Sequence, residues 1–237
     1  MPYDITTLDL AAFGWFLALW LVYNLAQGYL IRQPVGLNQH MRLLRQAWME
    51  RMVDREPRVL DSILVGHLIS SVSFFASTTM LILAGLVGLF GGVDHAHAVI
   101  TELSFMVKTT KPLFELKLLL LLTIFVYAFW KFTWALRQYN YCCALIGAAP
   151  LPPVAAEQQA DLAASAGSVL SEAVSSFNAG LRAYYFALAA LTWFIQPWLF
   201  ILASAWVLAV LLLRQMHSKT ARAVRDQTRA LSAPERR

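Results

Sequence analysis

Apolar residues in this chain gather in long runs instead of alternating with polar ones. Residues 10–31, 60–90, 113–136 and 182–213 are apolar runs poor in charge. Each reaches or exceeds the ~20 residues a helix needs to cross a hydrocarbon core about 30 Å thick. A helix satisfies its backbone donors and acceptors internally, and barrel-type strand alternation is absent, so four helical spans are expected. The predicted fold class is therefore all-α: an integral membrane helical bundle of about four transmembrane helices, with amphipathic helices at the interface. Residues 1–220 read as one transmembrane helical domain, and 221–237 as a basic C-terminal tail.

The segments between the runs have their own patterns. Leu37, Met41, Leu44, Trp48 and Met52 recur at spacings of three or four, with Arg42, Arg45, Arg51 and Arg55 mostly elsewhere. This is an amphipathic helix that either lies along a membrane surface or packs its apolar stripe on a neighbouring span. The second run opens with hydroxyls and a histidine, and His67, Ser70, Ser71, Ser77 and Thr78 can share one broad helical face. Such a face either packs closely on another helix or lines a wet pathway. Residues 91–112 read as a solvated loop, in which His95-Ala96-His97 lacks the further ligands a zinc site needs.

The third run is framed by Lys117 and Lys131. The thirteen residues between them make about 20 Å of helix, and both ammonium groups are expected to snorkel outward. Arg137, Gln138, Tyr139 and Asn140 form a polar-aromatic cluster at that run's end. Residues 155–180, rich in Ala, Ser and Gly, read as a small-residue helix packed closely on a neighbour. In the fourth run Gln196-Pro197 stands almost at the centre. It is expected either to kink the span or to turn it back, freeing a carbonyl that a neighbour must satisfy.

Composition supports this picture. The 237 residues are 59% hydrophobic and 14% charged, too few charges to cover a soluble exterior, and the net charge is +5. The positive charge collects in 32–58 and 214–237, beside spans, so anionic membrane lipid is the expected partner and nucleic acid is not. With four spans these two segments fall on opposite faces, and the positive-inside rule is nearly balanced. The adjacent Cys142 and Cys143 read as packing residues at the membrane edge, not as a disulfide framework.

Several short motifs occur in order along the chain. They are Arg45-x-x-Trp48-Met49, Ser73-Phe74-Phe75-Ala76-Ser77-Thr78-Thr79, Lys117-Leu118-Leu119 and Trp134-x-x-Arg137-Gln138-Tyr139-Asn140, then Arg182-Ala183-Tyr184-Tyr185-Phe186 and Trp193-x-x-x-Pro197-Trp198. In these the chain resembles the bacterial and plant membrane family called domain of unknown function 599. The resemblance implies a helical membrane protein and carries no catalytic residues.

Three functions compete. The leading expectation is a homo-oligomeric channel or transporter-like protein of the cell membrane (inner or plasma membrane). Its pathway or packing face is His67, Ser70, Ser71, Ser77 and Thr78, and its anion or lipid headgroup contacts are Arg42, Arg45, Arg137, Tyr139 and Asn140. The alternative is a structural or accessory subunit of a larger membrane complex. An enzyme ranks third, because HExxH, GxSxG and paired intramembrane aspartates are all missing; no catalytic residue, cofactor or metal is expected.

Overall fold

The computed structural model describes residues 6–32, 37–102, 107, 109–217 and 223–228, and among these residues the regular structure is entirely helical. The helices are, in order, α1 Thr7–Arg32, α2 Leu37–Val53, α3 Val59–Gly91, α4 Val93–Glu102, α5 Lys111–Ala148, α6 Ala156–Leu191 and α7 Pro197–His217, and residues 223–228 are helical as well. Four segments are long and apolar enough to cross a membrane: Thr7–Leu25, Val59–Gly91, Lys111–Ala148 and Pro197–Arg214. The chain is an all-α membrane protein.

Local chemistry sets the helix ends. Thr6 caps α1: the Asp9 backbone N–H donates to Thr6 Oγ1 at 3.1 Å, and that hydroxyl donates to Asp9 Oδ2 at 2.6 Å. Pro112 and Pro197 sit in first turns, where a missing N–H costs no internal hydrogen bond. Two expectations need correction. The run 182–213 is not one helix, because α6 ends at Leu191, a 3-10 turn covers Thr192–Phe194, and α7 starts at Pro197. Proline cannot donate and its ring crowds the preceding turn, so the helix stops and restarts instead of merely bending. The first residues of that run instead continue the Ala/Ser-rich helix. The second correction is that 91–112 contains the helix α4, with Asp94 in its first turn.

The chain divides into two compact units. The first comprises Met1–Ala26, Ala76–Lys131 and Ala179–Leu211. Aromatic rings tie α1 to α6 and α7 in it. Phe16 and Phe200 have ring centroids 5.0 Å apart, Trp20 stacks on Phe186 at 5.5 Å, and Trp193 stacks on Phe200 at 5.0 Å. Such pairs each add about 0.5–1.5 kcal/mol beyond their buried area. Here α6 runs antiparallel to α5, as Phe125 meets Tyr184 at 5.2 Å while the earlier Lys117 reaches the later Trp193.

The second unit comprises Gln27–Phe75, Phe132–Asn178 and Leu212–Arg237. Phe75, Phe132 and Phe177 make a three-ring centre, with centroids 5.7–5.8 Å apart. The α5–α6 pair is antiparallel here too. Phe132 meets Phe177, Ser176 Oγ lies 2.8 Å from the Gln138 amide, and Cys142 Sγ lies 3.9 Å from the Ala166 carbonyl. α2 takes the packed alternative: it buries Met49, Met52 and Val53, and at Gly167 of α6 an added Cβ would stand 3.1 Å from the Gln46 Cα. Glycine at 167 is what lets these two backbones approach so closely.

Candidate functional site

The five residues expected to share a face of α3 split by exposure. In the second unit His67, Ser70 and Ser71 are exposed, while Val65 and Val72 on the other side of the helix are buried. In the first unit Ser77 is exposed and Thr78 half-buried. The neighbouring Thr79 is fully buried, 2.7 Å from the Tyr184 hydroxyl. The fold therefore packs on Thr79 and the valines and leaves the His/Ser face outward. Ser71 Oγ donates to the His67 carbonyl at 3.1 Å. Its proton is turned to the helix backbone and not to the imidazole, a back-bond that serine commonly makes in helices.

The headgroup set also divides. Arg42, Arg137 and Asn140 are exposed. Arg45 is half-buried and donates to Ser171 Oγ of α6 at 3.2 Å. Burial lowers the pKa of its guanidinium, nearby Tyr139 opposes that shift, and Arg42 adds to it. Tyr139 is fully buried, so it serves the interior of the second unit and not its surface. His97 of α4 has Nε2 2.6 Å from the Thr109 carbonyl and packs edge-on to Phe114. Among the described residues no group of three or more His, Cys, Asp or Glu side chains is placed to hold a metal ion.

Two buried polar networks escaped the sequence pattern. In the second unit Asp61, at 0% exposure, receives the Trp48 indole N–H at 2.7 Å and Arg55 Nη1 at 3.1 Å, both on Oδ1. Nearby, Arg58 donates to the carbonyls of Ala149 and Pro150 at 2.5 Å and of Ile146 at 3.3 Å. It thus covers the Ile146 carbonyl, which the end of α5 leaves without an internal donor, and two carbonyls just beyond that end, at the negative end of the α5 dipole. A cavity of about 400 Å³ adjoins, walled by Arg55, Arg58, Val65, Cys143 and Leu151 among others. Asp61 could be read as a cap at the start of its run, but its partner Trp48 lies on another helix and follows from no periodicity.

The other network, in the first unit, overturns the snorkelling expected of Lys117. That side chain is 1% exposed, its Nζ donates to the Trp193 carbonyl at 2.9 Å, and it lies 5.5 Å from the Trp193 ring centroid. The carbonyl has an identifiable need. An i+4 donor to Trp193 would be residue 197, and residue 197 is proline. Lys117 supplies the missing donor. The Trp193 indole N–H in turn donates to Asp9 Oδ1 at 2.9 Å. A single tryptophan thus joins a buried acid to a buried base at the break between α6 and α7.

The family model described as protein of unknown function, DUF599, matches residues 11–220. The chain belongs to this family. No curated protein and no solved structure matches it. The DUF599 match spans α2 to α7 entire and most of α1, so it takes in the Asp61 network, the outward face of α3 and, of the other network, Lys117 and Trp193 but not Asp9. A family of unknown function assigns no roles to these residues, and geometry alone distinguishes them.

Proposed function

We propose that this DUF599 protein is a non-enzymatic protein of the cell membrane that self-associates through the outward face of α3. The subunits together would border a permeation path. The observation that carries the reading is the exposure of His67, Ser70 and Ser71 on a helix apolar enough to cross the membrane. Hydrocarbon offers an imidazole no partner, and polar side chains on spans normally turn toward protein or a wetted cavity. A second copy presenting the same face across a two-fold or higher axis would supply that surrounding. Exposed Arg137 and Asn140 are then available to anions or headgroups at the end of such a path.

Purified protein in vesicles tests this reading. Expected are an oligomer by chemical cross-linking and ion flux, both reduced by Ser70→Trp, with flux or selectivity altered by Arg137→Ala. A wild-type monomer without flux would refute it.

A second reading, an accessory subunit, has its own support. Ser71 already satisfies its hydroxyl on the His67 carbonyl, so part of the face needs no water and suits dry helix packing. Co-purification with a stoichiometric partner, without flux, selects it.

A further inference from the structure

Two cations in the first unit face aromatic rings and no acid. The Arg182 guanidinium carbon lies 5.9 Å from the Tyr23 ring centroid, and Lys131 Nζ lies 5.5 Å from that of Tyr127. Trp20 meets both Tyr127 at 5.8 Å and Phe186 at 5.5 Å, and Lys131 and Arg182 each stand one helical turn from those rings, toward the same end of the antiparallel α5–α6 pair. Neither forms an ion pair among the described residues. Ring faces attract cations but do not neutralise them. Two positive charges on membrane helices, both toward one end of the α5–α6 pair, therefore call for an anion.

An apolar groove ends at the same tyrosine. About 480 Å³ in volume, it runs between α1 and α5, with Trp20 and Leu21 on one wall and Leu120, Ile124 and Tyr127 on the other. Lys131 stands one helical turn beyond Tyr127 on α5. The lining of the groove is mainly apolar, and a single flexible hydrocarbon chain can follow it.

We propose that this groove holds one acyl chain of an anionic phospholipid whose phosphate is bound between Lys131 and Arg182. The shape of the groove selects the chain, and the two cations select the headgroup. The site is distinct from the α3 face and does not depend on self-association.

Native mass spectrometry of the full chain in detergent, titrated with dioleoyl-phosphatidylglycerol, dioleoyl-phosphatidylcholine or soluble glycerol 3-phosphate, provides the test. Wild type is expected to prefer phosphatidylglycerol over phosphatidylcholine by about 25-fold, and each of Lys131→Gln and Arg182→Gln to lower its affinity by about fivefold. The double variant should lose the preference. Lys131→Gln alone suffices if Arg182→Gln does not fold. Thr123→Trp, which fills the groove without touching charge, should weaken phosphatidylglycerol as well. Equal binding of both lipids, unchanged affinity in the charge variants or in Thr123→Trp, or glycerol 3-phosphate binding as tightly as the lipid would each overturn the proposal.

Discussion

Asp61 is the most informative position at which to perturb the second unit, because its two donors differ in environment while sharing one oxygen. Trp48 donates at 2.7 Å, and Arg55 donates at 3.1 Å from a side chain that is 35% exposed. A hydrogen bond to a buried charged group is worth about 1.5–3 kcal/mol, so the Trp48–Asp61 coupling should be about 2 kcal/mol. Solvent screens the Arg55 contact, which places its coupling below about 1 kcal/mol. The perturbation is a pair of double-mutant cycles built from Trp48→Phe, Arg55→Gln and Asp61→Leu. Leucine retains the approximate size without any acceptor, and phenylalanine retains an aromatic ring without the N–H. Unfolding by SDS titration in mixed micelles, followed by circular dichroism, gives each free energy. Raising the salt should shrink the Arg55 coupling and leave the Trp48 coupling nearly unchanged. An Arg55 coupling equal to or larger than the Trp48 coupling would refute the reasoning, because the ion pair and not the buried indole bond would then hold α2 to α3.

Two further outcomes follow from close contacts and from exposure. Gly167→Ala should destabilise by about 1–3 kcal/mol, because its Cβ would press on the Gln46 backbone at 3.1 Å. Gly85→Ala, with nothing within 4 Å of its Cβ, should stabilise by up to about 1 kcal/mol in the same assay; the reverse order would contradict the packing of α2 on α6. Cys143 is exposed and Cys142 buried. N-ethylmaleimide should therefore add once per folded chain and twice only after unfolding, as read by intact mass.

The sequence shows the outlines of the long helices plainly, because hydropathy is a local sum. The runs 10–31 and 60–90 lie within a few residues of α1 and α3. Where polar residues interrupt a run, the outline fails. Arg137-Gln138-Tyr139-Asn140 resembles the edge of a span, yet α5 continues through it to Ala148. Two of its polar groups find partners there, with Gln138 meeting Ser176 and Tyr139 lying near Arg45, while Arg137 and Asn140 stay exposed. Lys117 resembles an interfacial anchor for the same reason: a charge count has no access to a carbonyl 76 positions away that needs a donor. The composition of the α3 face is legible, but its outward direction is not, since direction depends on which side the rest of the chain covers.

The pairing of α6 with α5 bears on the direction of the whole chain through the bilayer. Hydropathy marks four crossings and passes over α6, whose first half is rich in Ala and Ser. Yet α6 is unbroken and antiparallel to α5 in both units, so where α5 crosses, α6 returns. Were α6 to cross as well, the number of passes would be odd, the two basic segments would share a side, and the positive-inside rule would turn that side to the cytoplasm. Labelling of single cysteines placed at Thr7 and at Arg214, from either side of sealed vesicles, checks this: labelling of both from the same side would refute a crossing α6.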